Sequence, residues 1–196
     1  TLPVERWNAQ LSLLTGIAAA RLMLDAGFGL LRTLPSPPAS VLEGLRRQAA
    51  TLGLEWPAGS SYAAGVRALV PERPAGAAML NQVAGSLRGA GYAVIERPMV
   101  AADAPLHAAV AAPYAHVTAP LRRLADRFAT EAALAGFENR PAADWVLASL
   151  AEMPGVMGRT GQRAAAVEHA VVELLEALVL RDRIGESFGA VVVDID

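Results

Sequence analysis

Apolar residues recur at helical spacing along most of this chain, and clusters of proline and glycine cut the helices apart. That pattern confines the fold to a mainly helical architecture with room for few strands. Leu11, Leu14, Ala18 and Leu22 share one face of a first helix over about residues 4–26, which Gly27-Phe28-Gly29 ends. After a turn at Pro35, Pro37 and Pro38, a second helix runs from near Ser40 to about Leu52. Short helices follow over Tyr62 to Leu69 and about Gly76 to Arg88. Tyr92-Ala-Val-Ile-Glu-Arg-Pro98 has the make-up of a strand closed by proline. Residues 99–117 lack periodicity and are expected to form a long ordered loop, the kind of segment that usually carries function. A helix is expected from about residue 119 to Ala135, and a short one opening at Pro141, with Trp145 in the core. The last, from about Gln162 to Val179, carries an apolar stripe of Ala164, Val167, Val171, Leu174, Leu175 and Leu178 suited to packing on the first helix or the one from residue 119. The expected class is α+β.

The helix from residue 119 has an unusual charge distribution. Thr118 can cap and Pro120 suits a first turn, where its missing N–H costs nothing. Arg122 and Arg123 then fall at the positive end of the helix, where each cation is disfavoured by about 0.3–1 kcal/mol. Asp126 offsets part of this. Exposed N–H groups beside a guanidinium pair make an anion site, because the planar arginine fork binds phosphate oxygens bidentately; solvated surface arginines are the alternative. Leu121, Leu124, Ala125 and Phe128 mark the expected buried face. They put Arg122 and Asp126 on one edge and Arg123 and Arg127 opposite the core, so Arg122 is the candidate for an oriented role. His116 sits two residues before the cap, where it either donates to a phosphate or holds the loop to Thr118. Tyr114 either contacts the ligand or pins the loop.

The string Tyr114-Ala-His-Val-Thr-Ala-Pro-Leu-Arg-Arg-Leu-Ala-Asp-Arg127 resembles the signature of the RNB catalytic domain of ribonuclease II and ribonuclease R-type exoribonucleases. Tyr114, His116, Thr118, Pro120, Arg122, Arg123 and Asp126 fall in register; Ala119 replaces the usual serine and Leu121 the usual isoleucine. Trp7 to Leu24 is similar to the long helix after the family's catalytic centre, and Gly29-Leu-Leu-Arg32 to the short strand that follows it. His107 resembles the histidine upstream of the signature. The chain departs from the pattern at Ala9 and Gln10, where relatives often carry a glutamate pair, and at Leu30-Leu31-Arg32, which lacks the tyrosine.

The resemblance implies a 3′-to-5′ exoribonuclease that hydrolyses single-stranded RNA to nucleoside 5′-monophosphates with magnesium. It makes Arg122 the catalytic contact to the scissile phosphate and Tyr114, His116, Thr118 and Arg123 substrate-binding. The aspartate cluster that holds magnesium in the family has no counterpart here: Asp25, Asp103, Asp126, Asp144 and Asp182 stand singly. The metal ligands are therefore expected outside this chain, none within it, and the chain alone is expected to be inactive. Residues 1–185 are read as the C-terminal part of an RNB catalytic domain. Residues 186–196, with the strand-like run Phe188 to Asp196, are read as the truncated start of an OB-fold RNA-binding domain.

Composition narrows the partners. A net charge of −2 excludes a broadly basic nucleic-acid binder, leaving a local arginine-lined channel. All 17 basic residues are arginine, and with aromatic residues at 5% there is little material for base stacking. Cysteine is absent, which excludes disulfides and thiolate metal sites. No run approaches the roughly 18 apolar residues of a membrane span, and no signal peptide opens the chain, so a cytoplasmic protein is expected; a monomer is also expected. Two other functions compete: a helical interaction module without chemistry, and a small-molecule binder using a helix N-terminus. Neither Walker nor Rossmann glycine spacing is present to support the latter.

Overall fold

The computed structural model of the chain describes residues 2–57, 59–86 and 89–189. It comprises two compact units. The first takes the chain up to Pro35 together with Gly89–Arg183, and the second takes the segment from Ser36 with the one that starts at Ile184.

The first unit opens with helix α1, Pro3–Ala26. Pro3 occupies its first turn, and the Glu5 carboxylate accepts the otherwise orphaned Leu2 N–H at 2.7 Å. Gly27, at φ 81°, ends the helix by donating its N–H to the Met23 carbonyl. Strand β1, Gly29–Thr33, then pairs antiparallel with β2, Gly91–Ile95, in a register that sets Gly29 opposite Ile95 and Arg32 opposite Tyr92. The helix of the arginine pair is Leu124–Phe137. Short and long helices follow at Asp144–Leu150 and Met153–Leu180. In chain order with the three helices of the second unit these are α5, α6 and α7.

The core lies between α1, α5 and the two-stranded sheet. Met23, Leu24, Leu30, Leu31 and Ile95 supply its bulk, and Ala19, Ala20, Ala129, Ala132 and Ala133 let the helices approach closely. Gly136 extends that close approach, since a side chain there would meet the Leu22 carbonyl at 2.9 Å. Gly16 does the same one layer higher. Its carbonyl accepts the Ala115 N–H at 3.1 Å, and a methyl group at its Cα would run into the Tyr114 ring and, at 2.6 Å, the Ala115 carbonyl.

The second unit contains α2, Ala39–Thr51, α3, Tyr62–Ala68, and α4, Pro74–Ser86. Leu45, Ala49, Trp56, Met79 and Val83 form its own small core. Ser61 caps α3 by accepting the Ala64 N–H, and Tyr62 donates its hydroxyl to the Val83 carbonyl at 3.2 Å. Among the described residues no helix is long and apolar enough to cross a membrane.

The α+β class and the element order follow the expectation, but α7 begins at Met153 rather than near Gln162, and the structure differs at α5, Trp145 and the α7 stripe as well. α5 starts at Leu124 rather than near 119, because residues 119–123 form a turn in which the Arg122 and Arg123 N–H groups both reach back to the Ala119 carbonyl. Its buried face is accordingly Ala125, Asp126, Ala129 and Ala132, while Leu121 is fully exposed and Leu124 partly so. Trp145 packs edge-on against Phe128, with centroids 5.2 Å apart, but half of it remains open to water. The stripe on α7 is exposed throughout, Val167 to Leu180, rather than covered by α1 or α5; the helix is buried only at its start, at Met153. The strand read from Phe188 onward falls mostly outside the described residues, and 186–189 are irregular.

Gly16→Ala should destabilise the protein by about 1–3 kcal/mol, the usual cost of overpacking. Gly158→Ala on α7, where nothing lies within 4 Å, should stabilise it by about 1 kcal/mol through helix propensity. Urea midpoints at constant slope test both.

Candidate functional site

Asp126 organises the site. Its carboxylate is fully buried and accepts three hydrogen bonds: the Ala119 N–H at 2.7 Å, Arg123 Nε at 2.8 Å and Arg123 Nη2 at 2.9 Å. A charge removed from water is tolerated only when paired and hydrogen-bonded, and the arginine fork meets both needs in one residue. The sequence here is therefore a tie between the 119–123 turn and the first turn of α5. It also resolves the charge anomaly for Arg123, whose guanidinium is held more basic than usual, chiefly by the bonds to Asp126.

The pairing reverses the expected roles of the two arginines in one respect. Arg123, placed by helical spacing opposite the core, is the fixed one, with its side chain 24% exposed. Arg122, expected on one edge with Asp126, is exposed and has no side-chain partner among the described residues. Helical spacing failed because the arginines precede the helix: Arg123 is its extended N-cap, at φ −124° and ψ 116°. Thr118 is exposed and does not cap.

Beside this turn lies a cluster of rings. Tyr114 is buried, its backbone held between the sheet and α1: the Arg32 N–H donates to the Tyr114 carbonyl at 2.8 Å, and Ala115 bonds Gly16 as above. Tyr114 meets His107 and His116 edge-on, at centroid distances of 5.5 and 5.7 Å. His116 Nδ1 lies 3.0 Å from the Tyr92 hydroxyl. Arg32 covers the Tyr92 ring with its guanidinium carbon 4.9 Å from the centroid, and also donates to the Gly91 carbonyl. The structure thus brings Tyr114, His116 and Arg123 together and leaves Arg122 and Thr118 outermost.

Tyr92 and the role of Arg32 were not read from the sequence. Both fall on strand-like segments of the sequence, but their meeting depends on the β1–β2 register, which sets them directly opposite. The one available signal was the arginine ending the Gly29-Leu-Leu-Arg32 run.

Electrostatics sharpen the cluster. Burial first, then the charges of Arg123 and Arg32, push the His116 imidazole down to about 4. Burial, with Arg32 adding to it, lowers His107, and burial raises Tyr92 and Tyr114. At neutral pH the site therefore presents neutral histidines, protonated phenols and arginine cations, an arrangement suited to anions. Among the described residues no group of three histidine or acidic side chains gathers as a metal site. The described residues therefore fit magnesium poorly.

No family model and no curated protein matches the chain. Among solved structures it is similar to Mycoplasma genitalium RNase R in complex with ribose methylated single-stranded RNA, with 16% sequence identity and a TM-score of 0.71. The match covers 93% of this chain and 29% of that one, so the chain spans under a third of its structural relative. The fold is thus similar to that of part of this ribonuclease R.

Arg123→Ala should cost about 3 kcal/mol by stranding the Asp126 carboxylate, and Arg122→Ala less than about 0.5 kcal/mol; equal urea midpoints for the two variants would contradict this assignment. His116 also sets a pH dependence. The unfolded chain protonates it near pH 6.5 and the folded chain only near 4. Between those values the unfolded state holds more protons, so stability falls as the pH drops. The melting temperature should decline from about pH 7 to pH 4.5, and less in His116→Gln, with His107 leaving a residual slope in the same direction.

Proposed function

We propose that this chain is part of a 3′-to-5′ exoribonuclease that hydrolyses single-stranded RNA to nucleoside 5′-monophosphates, with magnesium held by ligands other than those described here. The observation that carries the reading is the exposed Arg122 on a turn locked by Asp126, within a fold shared with a ribonuclease R bound to single-stranded RNA. Arg122 is then the catalytic residue. Its guanidinium, free of protein partners among the described residues, meets the non-bridging oxygens of the scissile phosphate and stabilises the charge that grows on them. Because the turn is fixed beforehand, little reorganisation accompanies the reaction.

Arg123 supports the same surface differently. Its fork is committed to Asp126, so its charge acts on RNA through space and through the shape of the turn. Tyr114 is too buried to stack on a base and serves through its packing against His107 and His116. Thr118 and His116 complete the substrate-binding rim. The sequence resemblance to the RNB signature and the structural similarity both support the assignment.

In the protein that carries this chain, Arg122→Ala should lower the turnover of single-stranded RNA by about a hundredfold or more while affinity stays within about tenfold. Single-turnover hydrolysis and fluorescence anisotropy separate the two quantities. Unchanged turnover would remove Arg122 from the mechanism.

A further inference from the structure

Tyr92 lies on β2, far in sequence from the signature, yet it is the hydrogen-bond partner of His116. The hydroxyl-to-Nδ1 distance of 3.0 Å engages one ring nitrogen. The other, Nε2, has no hydrogen-bond partner among the described residues, and His116 itself is half-buried, not sealed from water. Tyr92 is itself well anchored: its ring carries the Arg32 guanidinium, and Arg32 is tied to Gly91 and, through its backbone, to Tyr114. The ring of His116 is held from a second side by its edge-on contact with Tyr114.

We propose that Tyr92 is a positioning residue that donates its hydroxyl to His116 Nδ1 and so fixes the proton on Nε2, presenting an uncharged N–H donor to a phosphodiester oxygen of single-stranded RNA. The ligand rests on the functional reading above; the tautomer does not. The groups facing His116 are Arg32 on β1, Tyr92 on β2, His107 and Tyr114 from the loop, and Arg123 and Asp126 at the start of α5. With two arginines among them and only one carboxylate, already committed to Arg123, the imidazole gains little from becoming a cation, and the low imidazole value agrees. A neutral donor suits this position for the same reason. A phosphate drawn in by the arginine charges finds a directional hydrogen bond that does not change between about pH 5.5 and 8, unlike that of an ordinary histidine.

The tautomer is read directly by long-range proton–nitrogen NMR of the histidine rings at pH 7, with the His116 signals identified by their loss in His116→Gln. A protonated Nε2 and bare Nδ1 are expected; a protonated Nδ1 overturns the proposal without any variant. Tyr92→Phe keeps the ring that supports Arg32 and should bring the Nδ1 and Nε2 signals toward averaged values. Binding of a labelled oligouridine should weaken about fivefold in Tyr92→Phe and in His116→Ala, the scale of one neutral hydrogen bond. The salt dependence should stay unchanged in both, because no charge is lost. His116→Gln, whose amide N–H sits near the place of Nε2, should retain most of the affinity. In the His116→Ala background Tyr92→Phe should cost nothing more; additive losses would show that Tyr92 acts by another route. If the unaltered protein does not bind the oligonucleotide, the functional reading and the RNA ligand fall together. Normal binding that His116→Ala leaves intact removes only the His116 donor.

Discussion

A carboxylate with no exposure to water has to be answered by hydrogen bonds from its immediate surroundings, and at Asp126 the answer determines the shape of everything around it. Three donors converge on its two oxygens, two from the Arg123 fork and one from the Ala119 backbone. The turn between those residues is thereby closed, and the start of α5 is set by that closure rather than by a Thr118 cap. Once Arg123 is consumed, Arg122 is left facing outward. Burial first, and then the charges of Arg123 and Arg32, keep the neighbouring His116 uncharged. The buried pair costs desolvation, so its value lies in geometry more than in net stability.

Much of the fold could be read from residue patterns because local signals agreed with one another. Gly27 at the end of α1, the β-branched and aromatic run at β2, and the glycines and prolines between helices all mark boundaries found in the structure. The failures share a physical origin. Leu121 and Leu124 have helical spacing with Phe128, but Leu121 precedes the helix, so its periodicity has no geometric meaning. The stripe on α7 is as regular as any in the chain, and periodicity identifies an apolar face without identifying what lies against it.

The candidate site divides in the same way. Tyr114, His116 and Arg123 lie within ten residues of one another, and their proximity was visible in the order of the chain. Tyr92 and Arg32 reach the cluster through strand pairing, a relation that no local pattern encodes. The chain has a fold similar to part of a ribonuclease R at 16% identity, and its core is filled largely by alanine and glycine at the α1–α5 contact. Small residues there fix the spacing between helices tightly, which is how a sheet of two strands and a turn can be held in register with little aromatic mass.

The span of the Asp126 contacts has a further consequence for the order of events in folding. Its bonds to Arg123 and Ala119 close loops of three and seven residues, and such short closures sacrifice little chain entropy. The β1–β2 pairing joins Gly29 to Ile95 across the three helices α2, α3 and α4, a long-range contact of the kind that slows folding. The turn that exposes Arg122 can therefore assemble from local chemistry early, whereas the ring cluster beside it exists only after the two strands have met.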